Sequence, residues 1–128
     1  MLAAARSLLK RDGLLILDVW NGLAVLRDYS PSREKTAASS RMHVRRVSRT
    51  SLDEVRQVAC VDFDFEAIPT DGTAAKFSER HFVRFYFPQE LAWLLECAGF
   101  EVLLRCPFMD ATRDVSPHDW NMTLVARR

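Results

Sequence analysis

FYFPQELAWLLECAGFEVLLRC, Phe85 to Cys106, reads as a strand end, a helix and a second strand joined by almost no loop. Pro88 suits a first helical turn, where its missing N–H has no partner to lose. Leu91, Leu94, Leu95 and Ala98 follow at i, i+3, i+4 and i+7, so one face of a helix over 88–98 is apolar. Gly99 comes directly after the last periodic residue, where a left-handed backbone costs least for glycine, and Phe100 is placed to fold back onto the final turn. EVLLRC, residues 101–106, then continues as a strand.

Working outward, residues 2–11 carry a helical stripe of Leu2, Ala5, Leu8 and Leu9, with Lys10 and Arg11 at the negative end of the dipole and Gly13 as a cap. LLILDV, Leu14 to Val19, is apolar without alternation until Asp18, as in a strand covered on both faces of a parallel sheet. Residues 21–41 change character: Asn21-Gly22, Ser30-Pro31-Ser32 and the small polar run Thr36 to Ser40 predict a connecting segment with a short helix near 22–28. From Arg41 to Phe87 the period is close to two. Met42, Val44 and Val47 predict one strand, broken at Thr50 to Asp53. Val58 to Ile68 predicts a second, with Val61, Phe63 and Phe65 on one side and Asp62, Asp64 and Glu66 on the other. Pro69-Thr70-Asp71-Gly72 is a turn, and Ala74 to Phe87 a third strand, completing an antiparallel meander. Trp120 to Ala126 closes the chain as a last strand.

At 128 residues, 48% hydrophobic and 27% charged, the chain has the size and composition of one globular domain. A net charge of +1 gives no global reason to bind nucleic acid or an anionic membrane. Cys60, Cys97 and Cys106 are odd in number and lack C-x-x-C spacing, so neither a disulfide framework nor a zinc site is written, and a reducing cytoplasm fits. No apolar run reaches bilayer length, and Arg6, Lys10, Arg11 and Asp12 stand too early for a signal peptide.

The lead helix, GLLILDVWN, the antiparallel insertion, R-x-Y/F-x-P-Q-E-L, AGFEV (Ala98 to Val102) and a terminal strand ending VARR resemble, in this order, the C-terminal half of a class I S-adenosylmethionine-dependent methyltransferase. The resemblance implies an α/β fold: the last three strands of a Rossmann-like methyltransferase sheet with a three-stranded antiparallel insertion over 41–87, which would act as an acceptor-side lid. It implies S-adenosylmethionine as cofactor and a small-molecule acceptor. The Gly-rich turn and acidic residue that hold the cofactor in that family lie upstream of its corresponding point, and no G-x-G-x-G occurs among Gly13, Gly22, Gly72 and Gly99. By resemblance this is half of an enzyme, and LLILDV would then expose an unpaired apolar edge that associates with itself or with a separate N-terminal half. Phe87 stands where a capping Ser or Thr is usual.

Ligands of open α/β sheets bind beyond the carboxyl ends of the parallel strands, here Asp18, Trp20 and Asn21. Trp20 and Asn21 either line an acceptor pocket, or Asn21 opens a turn with Gly22 while Trp20 packs in the core. In ERHFVRF, His81 is the candidate general base and Arg80 and Arg84 candidate anion holders. Period two puts His81 on the opposite face from both arginines, for which a cross-strand ion pair with Glu79 or Asp64 is the simpler account. Asp62, Asp64 and Glu66 read as a wet strand face rather than a metal site, and Arg41, His43, Arg45, Arg46 and Arg49 as a charged edge that discourages strand addition. Two rivals to methyl transfer remain: a self-associating non-catalytic fragment exposing LLILDV, and a small α+β ligand-binding domain.

Overall fold

A computed structural model describes residues 1–128. The elements are α1 (Leu2–Leu8), β1 (Leu14–Asn21), α2 (Gly22–Arg27), β2 (Ser32–Ala38), β3 (Met42–Asp53), β4 (Val58–Pro69), β5 (Ala75–Tyr86), α3 (Pro88–Cys97), β6 (Glu101–Pro107) and β7 (Asn121–Arg127). They form two compact units, residues 1–29 with 85–128 and residues 30–84.

The first unit is built around the α3–β6 stretch. Phe87 offers no side-chain acceptor to the helix start, but the Glu90 carboxylate accepts from the Phe87 backbone N–H at 3.2 Å. At the other end Gly99 has φ +81, its N–H donates to the Glu96 carbonyl and the Phe100 N–H to the Leu95 carbonyl. These are the paired bonds of a Schellman cap, which returns the chain sharply toward the sheet. Leu91, Leu95 and Phe100 pack with Met122, Leu124 and Ala126 of β7, and Leu15, Leu17 and Val19 of β1 border this cluster.

β7 pairs antiparallel with β1 from Leu14↔Arg127 to Trp20↔Asn121 and antiparallel with β6 on its other side, so β1 and β6 run parallel with β7 between them. The continuous apolar run of β1 therefore does not mark a strand covered on both faces. Leu15, Leu17 and Val19 face α3, whereas Leu14 and Ile16 on the other face are 53% and 65% exposed. Its parallel neighbour is only the end of β5, at Trp20↔Phe85 and Asn21↔Tyr86. The lead helix is also shorter than its stripe suggests, ending at Leu8, and the left-handed residue after it is Asp12 (φ 62), not Gly13.

The second unit is a sheet in the order β2-β3-β4-β5, all neighbours antiparallel. It has four strands where three were expected, because Ser32–Ala38, polar and fully exposed, pairs with β3 from Ser32↔Arg49 to Ala38↔His43. Strand β2 lacks an apolar face, and its pairing rests on backbone bonds that composition does not reveal. Nor is β3 broken at Thr50: it runs to Asp53, whose carboxylate accepts from the Arg56 N–H and closes the turn into β4. The basic run of β3 is consequently internal, and β2 is the edge.

Candidate functional site

Strand alternation gives the second unit two chemically different faces. One carries Glu34, Arg45, Arg49, Asp62, Asp64, Glu66, Lys76 and Arg80, joined as Arg45–Glu34 at 2.7 Å, Arg49–Asp64 and Arg80–Asp62 at 2.5 Å, and Lys76–Glu66 at 3.0 Å. Guanidinium hydrogen bonds hold the Glu34, Asp62 and Asp64 carboxyls below the usual range, with Ser78 the first cause at Asp64. Exposed pairs of this kind contribute little to stability individually. The carboxylate row is thus a face of cross-strand pairs, and Arg80 binds Asp62 rather than Glu79 or Asp64.

On the opposite face, Phe65 stacks on Phe77 across the strands with ring centroids 4.7 Å apart and planes 12° apart. Phe63 lies 5.9 Å from Phe65, the His81 ring meets Phe63 edge-on at 5.5 Å, and the Arg46 guanidinium sits 5.0 Å over the Phe63 ring. His81 Nε2 is 3.0 Å from the Glu79 carboxylate. As period two requires, His81 is separated from Arg80 and Arg84, and the latter lies opposite Val58 on the ionic side. The aromatic ladder and Arg46 are residues that sequence reasoning did not assemble. Alternation marked Phe63 and Phe65 as sharing a side, but only the β4–β5 register sets Phe77 against Phe65.

In the first unit, the C-terminal end of β1 is an anchor. Asn21 is wholly buried; its amide donates to the carbonyls of Ser116 and Asp119, both at 3.0 Å, and its Oδ1 accepts from the Leu23 N–H, starting α2. All its polar atoms are engaged within the protein. Trp20 packs edge-to-face on Trp120 at 5.4 Å, and Asp18 accepts from Asn121 and Thr123. Asp119 gathers the 107–120 loop by accepting from Ser116 N–H and Oγ, both at 2.7 Å, and from both terminal nitrogens of Arg113. The Arg113 bond first, then Ser116, holds the Asp119 carboxyl far below the usual range.

Such a depressed carboxyl stabilises the fold above its unfolded pKa of about 3.9, and that contribution disappears as pH falls toward the native value. We expect the denaturant midpoint to drop below about pH 4, and Asp119→Asn to flatten that drop while lowering the midpoint at neutral pH. An unchanged acid slope in Asp119→Asn, read by circular dichroism, would show that Asp119 does not carry the effect.

None of the four glycines leaves its backbone open for a close approach by a ligand. A Cβ on Gly13 would meet the Lys10 carbonyl at 2.9 Å, on Gly22 the Phe87 and Phe85 rings at 3.0 and 3.1 Å, on Gly72 the Pro69 ring at 2.9 Å, and on Gly99 the Arg6 guanidinium at 2.9 Å. Each glycine faces its own protein, and none forms the Gly-rich turn that holds the cofactor in the resembled family.

Parallel β1 and β6 with antiparallel β7 between them, and a helix leading into β6, define the partial Rossmann-like sheet of a methyltransferase fold. No family model and no curated protein matches the chain. Solved structures do. An S-adenosylmethionine-dependent methyltransferase from Clostridium acetobutylicum is 16% identical at a TM-score of 0.78, over 98% of this chain and 48% of that one. An amino pentose methyltransferase from Micromonospora echinaspora, solved with S-adenosylmethionine bound, is 19% identical at a TM-score of 0.68, over 99% and 48%. A sugar N-methyltransferase from Streptoalloteichus is 18% identical at 0.66, over 99% and 47%. The chain has the fold of part of such an enzyme and spans about half the length of the structures it matches. No helix is long and apolar enough to cross a membrane.

Proposed function

We propose that these 128 residues supply the acceptor-side half of an S-adenosylmethionine-dependent methyltransferase acting on a small molecule, with residues 30–84 as the acceptor-side cover. The observation that carries this reading is the match of nearly the whole chain to half of each solved methyltransferase, joined to the absence of any glycine cradle among its own turns. His81 is the residue to accept a proton from an acceptor amine or hydroxyl, with Glu79 orienting its ring. Trp20 offers an apolar wall near the strand end, while Asn21 and Arg80 are occupied by protein partners and serve the acceptor through structure.

The test is a calorimetric titration with S-adenosylmethionine and S-adenosylhomocysteine. The chain alone is expected to bind neither, and to bind both once assembled with a methyltransferase half that carries the Gly-rich turn. A folded assembly that binds no cofactor rejects the reading.

Self-association is the second reading, and the β1 edge favours it. No strand pairs with Leu14–Val19 on the side away from β7, and exposed Leu14 and Ile16 continue into a groove of about 360 Å³ bordered by Leu104, Phe108, Met109 and Val125. An unpaired edge beside an apolar face favours association. A chain that stays monomeric when diluted rejects it. The small ligand-binding domain gains nothing, because β1 pairs antiparallel on one side only.

A further inference from the structure

We propose that the aromatic face of β3, β4 and β5 binds a planar ring bearing a carboxylate or phosphate, stacked on the Phe63–Phe65–Phe77 ladder with its anionic group on Arg46. Naming this ligand as the methyl acceptor rests on the methyl-transfer reading, whereas the binding site itself does not.

The two faces of one sheet supply the argument. Strand propensity does not require a row of phenylalanines here, because within residues 30–84 the ionic side of the same strands carries four charged cross-strand pairs and a single aromatic residue, Phe82. The aromatic side remains accessible: His81 is exposed, and Phe77, though stacked on Phe65, is 49% exposed. On the same face Ala59 and Val61 are buried, so the part open to a ligand is the stretch that carries the ladder. A flat ring adds to an offset aromatic stack at little conformational cost.

Charge selects the ring's substituent. Sheet register places Arg33, Lys35 and Arg46 on this face together with a single carboxylate, Glu79, which His81 engages. The face is therefore net positive. Arg46 is the cation nearest the ladder, held over Phe63, and a guanidinium resting on a ring still directs its in-plane N–H groups at a planar oxyanion. The ionic face is close to balanced and offers an anion no such excess.

Naphthoate and its neutral analogue naphthalene methanol, titrated calorimetrically into the 128-residue chain, test the proposal. Naphthoate should bind about tenfold more tightly than the alcohol, and Arg46→Gln should remove that difference. Phe77→Ser should weaken both about tenfold through lost stacking, while Lys76→Gln on the ionic face changes neither. Equal affinity for the two probes, or naphthoate binding that survives both Arg46→Gln and Phe77→Ser with the fold intact by circular dichroism, overturns the site. So does a dimer that Phe77→Ser dissolves, since a second copy would then occupy the face. The failures separate: naphthoate recognition without cofactor binding in the assembled protein rejects methyl transfer alone, and cofactor binding without naphthoate recognition rejects this site alone.

Discussion

Phe85→Ala is expected to lower the unfolding free energy by about 4 kcal/mol, or roughly 15 °C in Tm, a large part of the ~10 kcal/mol that stabilises a domain of this size. Phe85 is wholly buried, and it stands where β5 makes its first pairing with β1, opposite Trp20. Its ring meets Phe87 edge-on at 6.4 Å and lies against the space left by the missing Cβ of Gly22. Truncation removes these contacts at once, and Gly22, already at the start of α2, has no side chain with which to fill the void. Phe85→Leu keeps most of the volume and should cost about 1.5 kcal/mol. Urea unfolding followed by circular dichroism distinguishes the cases: a loss below about 1.5 kcal/mol for Phe85→Ala would mean that the site collapses around the gap.

The second large effect is expected at Asn21. Asn21→Ala removes the partner of two part-buried carbonyls and of the Leu23 N–H, and should cost about 3 kcal/mol. Asn21→Asp is the sharper experiment. It is nearly isosteric, yet an ionised carboxylate there faces the carbonyl oxygens of Ser116 and Asp119 without a proton to offer either. Burial and those carbonyls raise the native pKa of the introduced carboxyl above its unfolded value, so its protonated form is favoured in the fold. Stability is then retained below the unfolded pKa, about 3.9, and lost as pH rises toward the native value. The Asn21→Asp variant should therefore gain on the parent as pH falls from 7 to about 4, opposite in sign to the acid loss expected from Asp119. A constant difference between variant and parent across that range would show that position 21 is wet.

The best-read parts are those in which local chemistry and tertiary structure agree. The α3–Gly99–Phe100–β6 stretch appears as anticipated, within a residue at each boundary, because a proline, an apolar stripe and a glycine at a positive φ each act over a few residues. The short helix near 22–28 appears as α2 for a similarly local reason, the Asn21 cap. Misreadings occurred where partners distant in sequence decide. Ser32–Ala38 is a strand only because β3 is there to pair with it. The two faces of β1 look alike as LLILDV but are not alike in the fold, since α3 packs over one and leaves Ile16 exposed on the other.

The candidate site divides along the same line. His81 and the opposite facing of Arg80 and Arg84 follow from a period of two alone. The occupation of Arg80 by Asp62, the burial of Asn21 under the 107–120 loop, and the meeting of Phe63, Phe65 and Phe77 beneath Arg46 do not. By itself the sequence determined the alternation of faces, the helix and its caps, and the order of elements that resembles half a methyltransferase. Only tertiary structure decided which residues of neighbouring strands joined Phe63 and Phe65 on one face and Asp62 and Asp64 on the other. The physical reason is that alternation assigns each side chain to a side, whereas inter-strand register, set by long-range backbone pairing, selects the neighbours it meets there.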